Sequence, residues 1–91
     1  MEVPFIKTEA LGNDFVLVDA LKDNSLFEKL APYVPAICDR RRGIGADGVL
    51  FLVSGSDVPY MMRLVNADGS ESEMCGNGLR CIAHYLRSEG R

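Results

Sequence analysis

The spacing of apolar residues changes several times along the chain, and each change marks an element. From Val3 to Thr8 apolar and polar positions alternate weakly, which predicts a half-buried strand, and Pro4 suits an edge or a strand start. Leu11-Gly12-Asn13-Asp14 breaks the pattern with residues that tolerate turns, and Phe15 to Val18 is apolar again, so the segment predicts a β-hairpin. After the polar break Lys22 to Asn24, Ser25 followed by Glu28 reads as a capping box at a helix start. Leu26, Phe27, Leu30, Ala31 and Val34 recur at helical spacing, and Pro32 and Pro35 predict a helix broken into two short pieces. Ala36 to Arg42 predicts one or two further helical turns, stopped by Gly43. Val49 to Val53 is a continuous apolar run, the pattern of a strand buried on both faces. Ser54-Gly55-Ser56-Asp57 predicts a turn and Tyr60 to Val65 a further strand. Leu79, Ile82, Ala83 and Leu86 then fall on one face of a helix. The order β-β-α-β-β-α lacks regular strand–helix alternation, which predicts an α+β fold with a mainly antiparallel sheet.

Composition narrows the class. With 91 residues the chain is at most one small domain. A 47% hydrophobic and 25% charged composition is globular, and the net charge of −3 argues against nucleic acid or an acidic membrane as partner. No apolar run approaches the ~18 residues of a membrane span, and the start lacks the basic region and apolar core of a signal peptide. Three cysteines, an odd number without secretory marks, favour free thiols in a reducing, cytoplasmic setting.

Candidate chemistry concentrates in Asn66-Ala67-Asp68-Gly69-Ser70-Glu71-Ser72-Glu73-Met74-Cys75-Gly76-Asn77-Gly78-Leu79-Arg80-Cys81. Cys75 stands just before the predicted last helix, where unpaired N–H groups and the helix dipole favour a thiolate. Asp68, Glu71 and Glu73 act the other way, because nearby negative charge disfavours the thiolate. Gly76 and Gly78 lack a Cβ and let backbone approach an anion. From these residues alone, a reactive thiol and a small buried hydrophobe are equally good readings of Cys75. Cys81 lies about 240° further round a helix, so it shares no face with Cys75. Cys38 and Cys81 read as packing residues, and the spacing fits neither a redox pair nor a zinc site. His84, with Arg80 and Arg87, reads as a solvated helix face.

Gly43-Ile44-Gly45-Ala46-Asp47-Gly48 has the letters of a dinucleotide fingerprint, but that fingerprint needs a strand before it and a helix after it. Here a basic helical stretch precedes and a strand follows, so the segment reads as a tight helix-to-strand connection. Arg40, Arg41 and Arg42 read as a solvated helix end without a function. Asn13 and Asn66 each stand at a strand–turn junction, where asparagine is common for conformational reasons alone.

Three ordered segments carry a resemblance. NADGSESEMCGNGLRC is similar to the catalytic-cysteine segment of diaminopimelate epimerases. Phe5-Ile6-Lys7 through Leu11-Gly12-Asn13-Asp14-Phe15-Val16 resembles the family's N-terminal strand pair with its GNDF turn, and Cys38 through Leu50 resembles its third signature. The resemblance implies a half-domain with a mainly antiparallel sheet curled around a central cysteine-bearing helix. It implies that 1–91 is the N-terminal half of a two-half enzyme, truncated before its closing strands, whose partner is the missing C-terminal half-domain. Exposed edges of such a fragment leave self-association, including a homodimer, open.

The activity implied is inversion of one α-carbon of LL-2,6-diaminopimelate to the meso form, in lysine and cell-wall synthesis, without pyridoxal phosphate or metal. Cys75 matches one of two catalytic cysteines, Gly76 and Asn77 match backbone donors to the α-carboxylate, and Asn13 and Asn66 match substrate-binding asparagines. The family often has glutamine contacting substrate where Gly48 stands, so that contact is not carried over. Asn77 also separates this chain from proline-racemase-like relatives, which typically show histidine there. A same-fold racemase of another amino acid and a non-catalytic substrate-binding fragment are the alternatives.

Overall fold

The computed structural model describes residues 4–10, 12–23, 25–54, 61–72 and 83–88. Strands β1 (Ile6–Ala10) and β2 (Asn13–Asp19) form the predicted hairpin, turning at Gly12 with Ala10 opposite Asn13. Helix α1 (Ser25–Leu30), a 3-10 turn (Ala31–Tyr33) and helix α2 (Val34–Cys38) follow, so the helical stretch is divided at the two prolines. Strands β3 (Gly48–Val53), β4 (Met61–Asn66) and β5 (Glu71–Ser72) complete a five-stranded sheet of order β1-β2-β3-β4-β5. Residues 83–88 are helical. The α+β class stands: the sheet is antiparallel except for the β2–β3 pair, which is parallel and joined through α1 and α2.

Strand periodicity sorts the core into two faces. Val16, Val18, Val49, Phe51, Val53 and Val65 point to one face, where Phe27, Val34 and Cys38 cover them. Phe27 meets Phe51 edge-on, with centroids 4.9 Å apart. The Arg63 guanidinium lies 3.7 Å from the Phe27 ring centroid and is held there by two hydrogen bonds to Glu71, each 2.8 Å. Phe15, Leu17, Leu50, Leu52, Met62 and Leu64 point to the other face, where Leu21 and, from the 83–88 helix, Tyr85 and Leu86 pack. β3 is buried on both faces, as its apolar run predicts.

Several expectations need correcting. The capping box is not formed: the Asp23 carboxylate accepts both the Ser25 N–H and the Ser25 hydroxyl, so Asp23 organises the start of α1. α2 ends at Cys38 and Asp39–Arg42 is a turn, because Asp39 draws the Arg41 and Arg42 N–H groups to its own carboxylate. β5 is an added strand, pairing Glu71 with Val65 and Ser72 with Leu64. In the last helix Ala83 is exposed, and Tyr85 with Leu86 makes the inward contact. Leu79, Ile82, the 55–57 part of the predicted turn and Tyr60 lie outside the described residues.

Candidate active site

β2 and β3 start, and β4 ends, at one end of the sheet. Phe15 pairs with Gly48 and Gly48 with Asn66, so the register brings Asn13 and Asn66 to that same end. Both asparagines are half-buried. Backbone bonds run across it: Asp47 N–H donates to Asp14 C=O at 2.9 Å, and Ala67 N–H to Asp47 C=O at 3.0 Å.

The connection from α2 to β3 is folded tightly onto the helix. Ile37 C=O accepts the N–H groups of Ile44 and Gly45, and Cys38 C=O accepts that of Ala46, so carbonyls left over at the helix end are used. A Cβ on Gly43 would stand 2.1 Å from Ala36 O, a space only glycine can occupy. The glycine run is therefore a helix-to-strand connection, as its sequence context predicts.

Charged side chains fasten this end. Arg40 donates to both oxygens of Asp14, at 3.0 and 2.8 Å, and to Asp47 at 3.2 Å. Lys7 pairs with Asp14 at 3.1 Å and also donates to Gly45 C=O. Asp14 N–H donates to the Asp47 carboxylate and Asp47 N–H to that of Asp14, at 3.0 and 3.2 Å. The Arg40 guanidinium, with Lys7 and Asp47, holds the Asp14 carboxyl well below the usual carboxylate range. The same pairing pushes the Arg40 guanidinium above its usual range. Arg40, though exposed like Arg41 and Arg42, is thus a structural tie, and among the described residues no ion pair is made by the other two. Sequence reasoning missed this network; the signal available was an aspartate in each of two motif segments and an arginine between them.

Asn66 is held by the turn that follows it. Its N–H donates to Ser70 C=O at 2.7 Å, and its C=O accepts from Gly69 N–H at 2.8 Å. Its side-chain nitrogen contacts Ser70 Oγ at 3.2 Å, and Ser70 Oγ donates to Asp68 at 2.6 Å. Opposite Asn66, Gly48 offers no side chain, and a Cβ there would stand 2.8 Å from Val65 O. The glycine is therefore required by strand spacing here.

Cys75, Gly76 and Asn77 lie outside the described residues, as does Cys81. Cys38 is buried in the helix-covered face, and burial pushes its thiol pKa up, which fits a packing role. His84 and Arg87 are exposed. A cavity of about 430 Å³ lies toward the opposite end of the sheet, lined by Phe5, Ile6, Leu17, Asp19 and Tyr85. It is therefore separate from the asparagine end. Among the described residues no helix is long and apolar enough to cross a membrane.

Comparison with known proteins gives a consistent picture. The family profile described as diaminopimelate epimerase matches residues 5–91. A diaminopimelate epimerase of Carboxydothermus hydrogenoformans is 51% identical over 82 residues, covering 89% of this chain and 30% of the relative. One from Microcystis aeruginosa is 49% identical over 89 residues, covering 94% and 31%. A chloroplastic one from Oryza sativa subsp. japonica is 49% identical over 84 residues, covering 90% and 23%. The chain therefore spans about 30% of the length of the bacterial relatives it matches. With a profile match along nearly its whole length and half its residues shared with such relatives, the chain belongs to the diaminopimelate epimerase family.

Proposed function

We propose that this chain is the N-terminal part of an enzyme that epimerises LL-2,6-diaminopimelate to the meso form by proton transfer between two cysteines, without a cofactor. The observation that carries the reading is that the sheet register brings Asn13 and Asn66, far apart in sequence, to one end of the fold in a chain of this family. An amide offers both donors and an acceptor, which suits a ligand bearing ammonium and carboxylate groups.

In the proposed reaction Cys75 is one acid/base. A thiolate removes the α-proton from one face, leaving the electron pair on the α-carbon, and a thiol on the opposite face delivers a proton to that carbon. The first sulfur ends protonated and the second ends as thiolate, so charge and protons balance. The α-proton is a weak acid, and N–H donors at Gly76 and Asn77 would steady the carboxylate as charge develops. Asn13 and Asn66 hold the far end of the substrate.

Inversion needs groups on both faces, so the 91-residue chain alone is expected to be inactive and the second cysteine to come from a further half-domain. The test is to incubate LL-diaminopimelate in D₂O with the chain alone, then with a separately made second half-domain, following the α-proton signal. Exchange and inversion in the assembly only, lost on Cys75→Ala, are the expected outcome. Inversion by the chain alone, or full activity of the Cys75→Ala assembly, overturns the mechanism.

A further inference from the structure

Asp14 and Asp47 stand opposite each other one position before Phe15 and Gly48, the first pair of the parallel ladder. Each carboxylate accepts the other's backbone N–H, at 3.0 and 3.2 Å. One Arg40 nitrogen lies 2.8 Å from Asp14 and 3.2 Å from Asp47, so both acids stand within reach of a single guanidinium. At neutral pH two carboxylates that close repel each other. Lys7 offsets part of the repulsion through its 3.1 Å pair with Asp14, but among the described residues it pairs with Asp14 alone. Arg40 is the cation that touches both acids. Within this hydrogen-bonded group two cations balance two carboxylates; without Arg40 one negative charge is left over where β3 begins.

Asn13 is the residue before Asp14, at the start of β2 and opposite Ala10 across the Gly12 turn. Packing does not hold that turn: a Cβ on Gly12 would meet no atom within 4 Å. Asp14, next along, is fastened by Lys7, Arg40 and Asp47. We propose that Arg40 is a positioning residue whose charge holds Asp14 and Asp47 together, and that through Asp14 it sets where Asn13 stands at the sheet end. The clasp stands on its geometry; what Asn13 does for a substrate rests on the epimerase reading.

A tie that only added attraction would be weakened further by any second loss. A charge-neutralising residue gives the opposite sign: once Arg40 is gone, removing one acid relieves the repulsion. Asp47→Asn is the discriminating change, because its amide oxygen still accepts the Asp14 N–H and Asp14 keeps Lys7.

The clasp is tested in the 91-residue chain by amide hydrogen exchange followed by NMR. In Arg40→Gln the Asp14 and Asp47 amide protons should exchange about tenfold faster, while Leu50 and Leu52 within β3 keep wild-type rates. In Arg40→Gln combined with Asp47→Asn, the Asp14 amide should return to within about threefold of its wild-type rate. Rates unchanged in Arg40→Gln, or an Asp14 amide as fast or faster in the double variant, overturn the proposal. If Arg40→Gln unfolds the chain, recovery of the fold by Asp47→Asn supports the clasp and continued unfolding overturns it.

The link to Asn13 is read in the assembled two-half protein. There Arg40→Gln should raise KM for LL-diaminopimelate about three- to tenfold at nearly unchanged kcat, because only a fraction of the molecules hold Asn13 in place. Adding Asp47→Asn should bring KM back toward wild type. A KM left at the wild-type value, or a fall in kcat at unchanged KM, overturns the link. A wild-type assembly without turnover instead refutes the epimerase reading, and the exchange rates then decide the clasp by themselves.

Discussion

Strand β3 is buried along its whole length and carries only apolar side chains after Gly48, whereas the sheet end where it begins is fastened by Lys7, Asp14, Arg40 and Asp47 within reach of water. The first region draws its stability from removing apolar surface from water, a term that scales with area. The second draws little from each ion pair, since Arg40 and Asp47 are 57% and 45% exposed, and serves to fix positions. Stability and the fixing of the sheet end that carries Asn13 and Asn66 are thus supplied by different parts of one sheet. Mutations should separate them.

The largest effect is expected at the apolar region. Phe51 is fully buried and meets Phe27 edge-on, so Phe51→Ala should cost about 3–5 kcal/mol in urea denaturation. That approaches the whole stability of a domain this small, and a loss below 1 kcal/mol would mean that the two faces are not closed cores. Gly43→Ala comes next, because the new Cβ meets the Ala36 and Ile37 carbonyl oxygens, which are backbone and cannot swing away. About 1–3 kcal/mol is expected, with the connection to β3 displaced. A neutral result would place the loop elsewhere than against α2.

Asp14→Asn should cost less, about 1 kcal/mol, since its partners are solvent-screened. Its pH dependence sharpens the comparison. The Asp14 carboxyl is held below its ordinary range, so its contribution is complete above the unfolded value near 3.9 and is lost as pH falls. Denaturation midpoints of wild type and Asp14→Asn should differ at neutral pH and begin to converge below about pH 4. A difference that grows in acid would have the wrong sign for this network. The smallest effect concerns reactivity: buried Cys38 should resist iodoacetamide in the native chain at about pH 7.5, and alkylation at a free-thiol rate would show the helix-covered face to be open.

The same contrast explains what the sequence disclosed. The apolar run at Val49–Val53, the hairpin before it and the division at Pro32 and Pro35 were legible, because burial and proline chemistry act through periodicity and local geometry. Arg40 was not, since its partners Asp14 and Asp47 become its neighbours only after the chain has crossed from β2 to β3. The capping of α1 was misread because Asp23 and Ser25 both offer a side-chain oxygen at a helix start, and spacing alone does not choose between them. β5 is two residues long, too short for any alternation to register. Asn13 and Asn66 looked like turn residues, which they also are; their convergence is a property of register. Cys75, Gly76 and Asn77 remain assigned by resemblance.

The parallel β2–β3 ladder also has a kinetic meaning. The β1–β2 hairpin and the β3–β4–β5 meander each pair strands close in sequence, while the parallel ladder joins them across the helical crossover. Closing that long loop precedes any reward from the contacts, so docking of the two units is the expected slow step. Asn13 belongs to the first unit and Asn66 to the second. The sheet end at which both stand therefore comes into being only when the two units dock, and in stopped-flow refolding a probe at either asparagine should report the last phase of folding rather than the first.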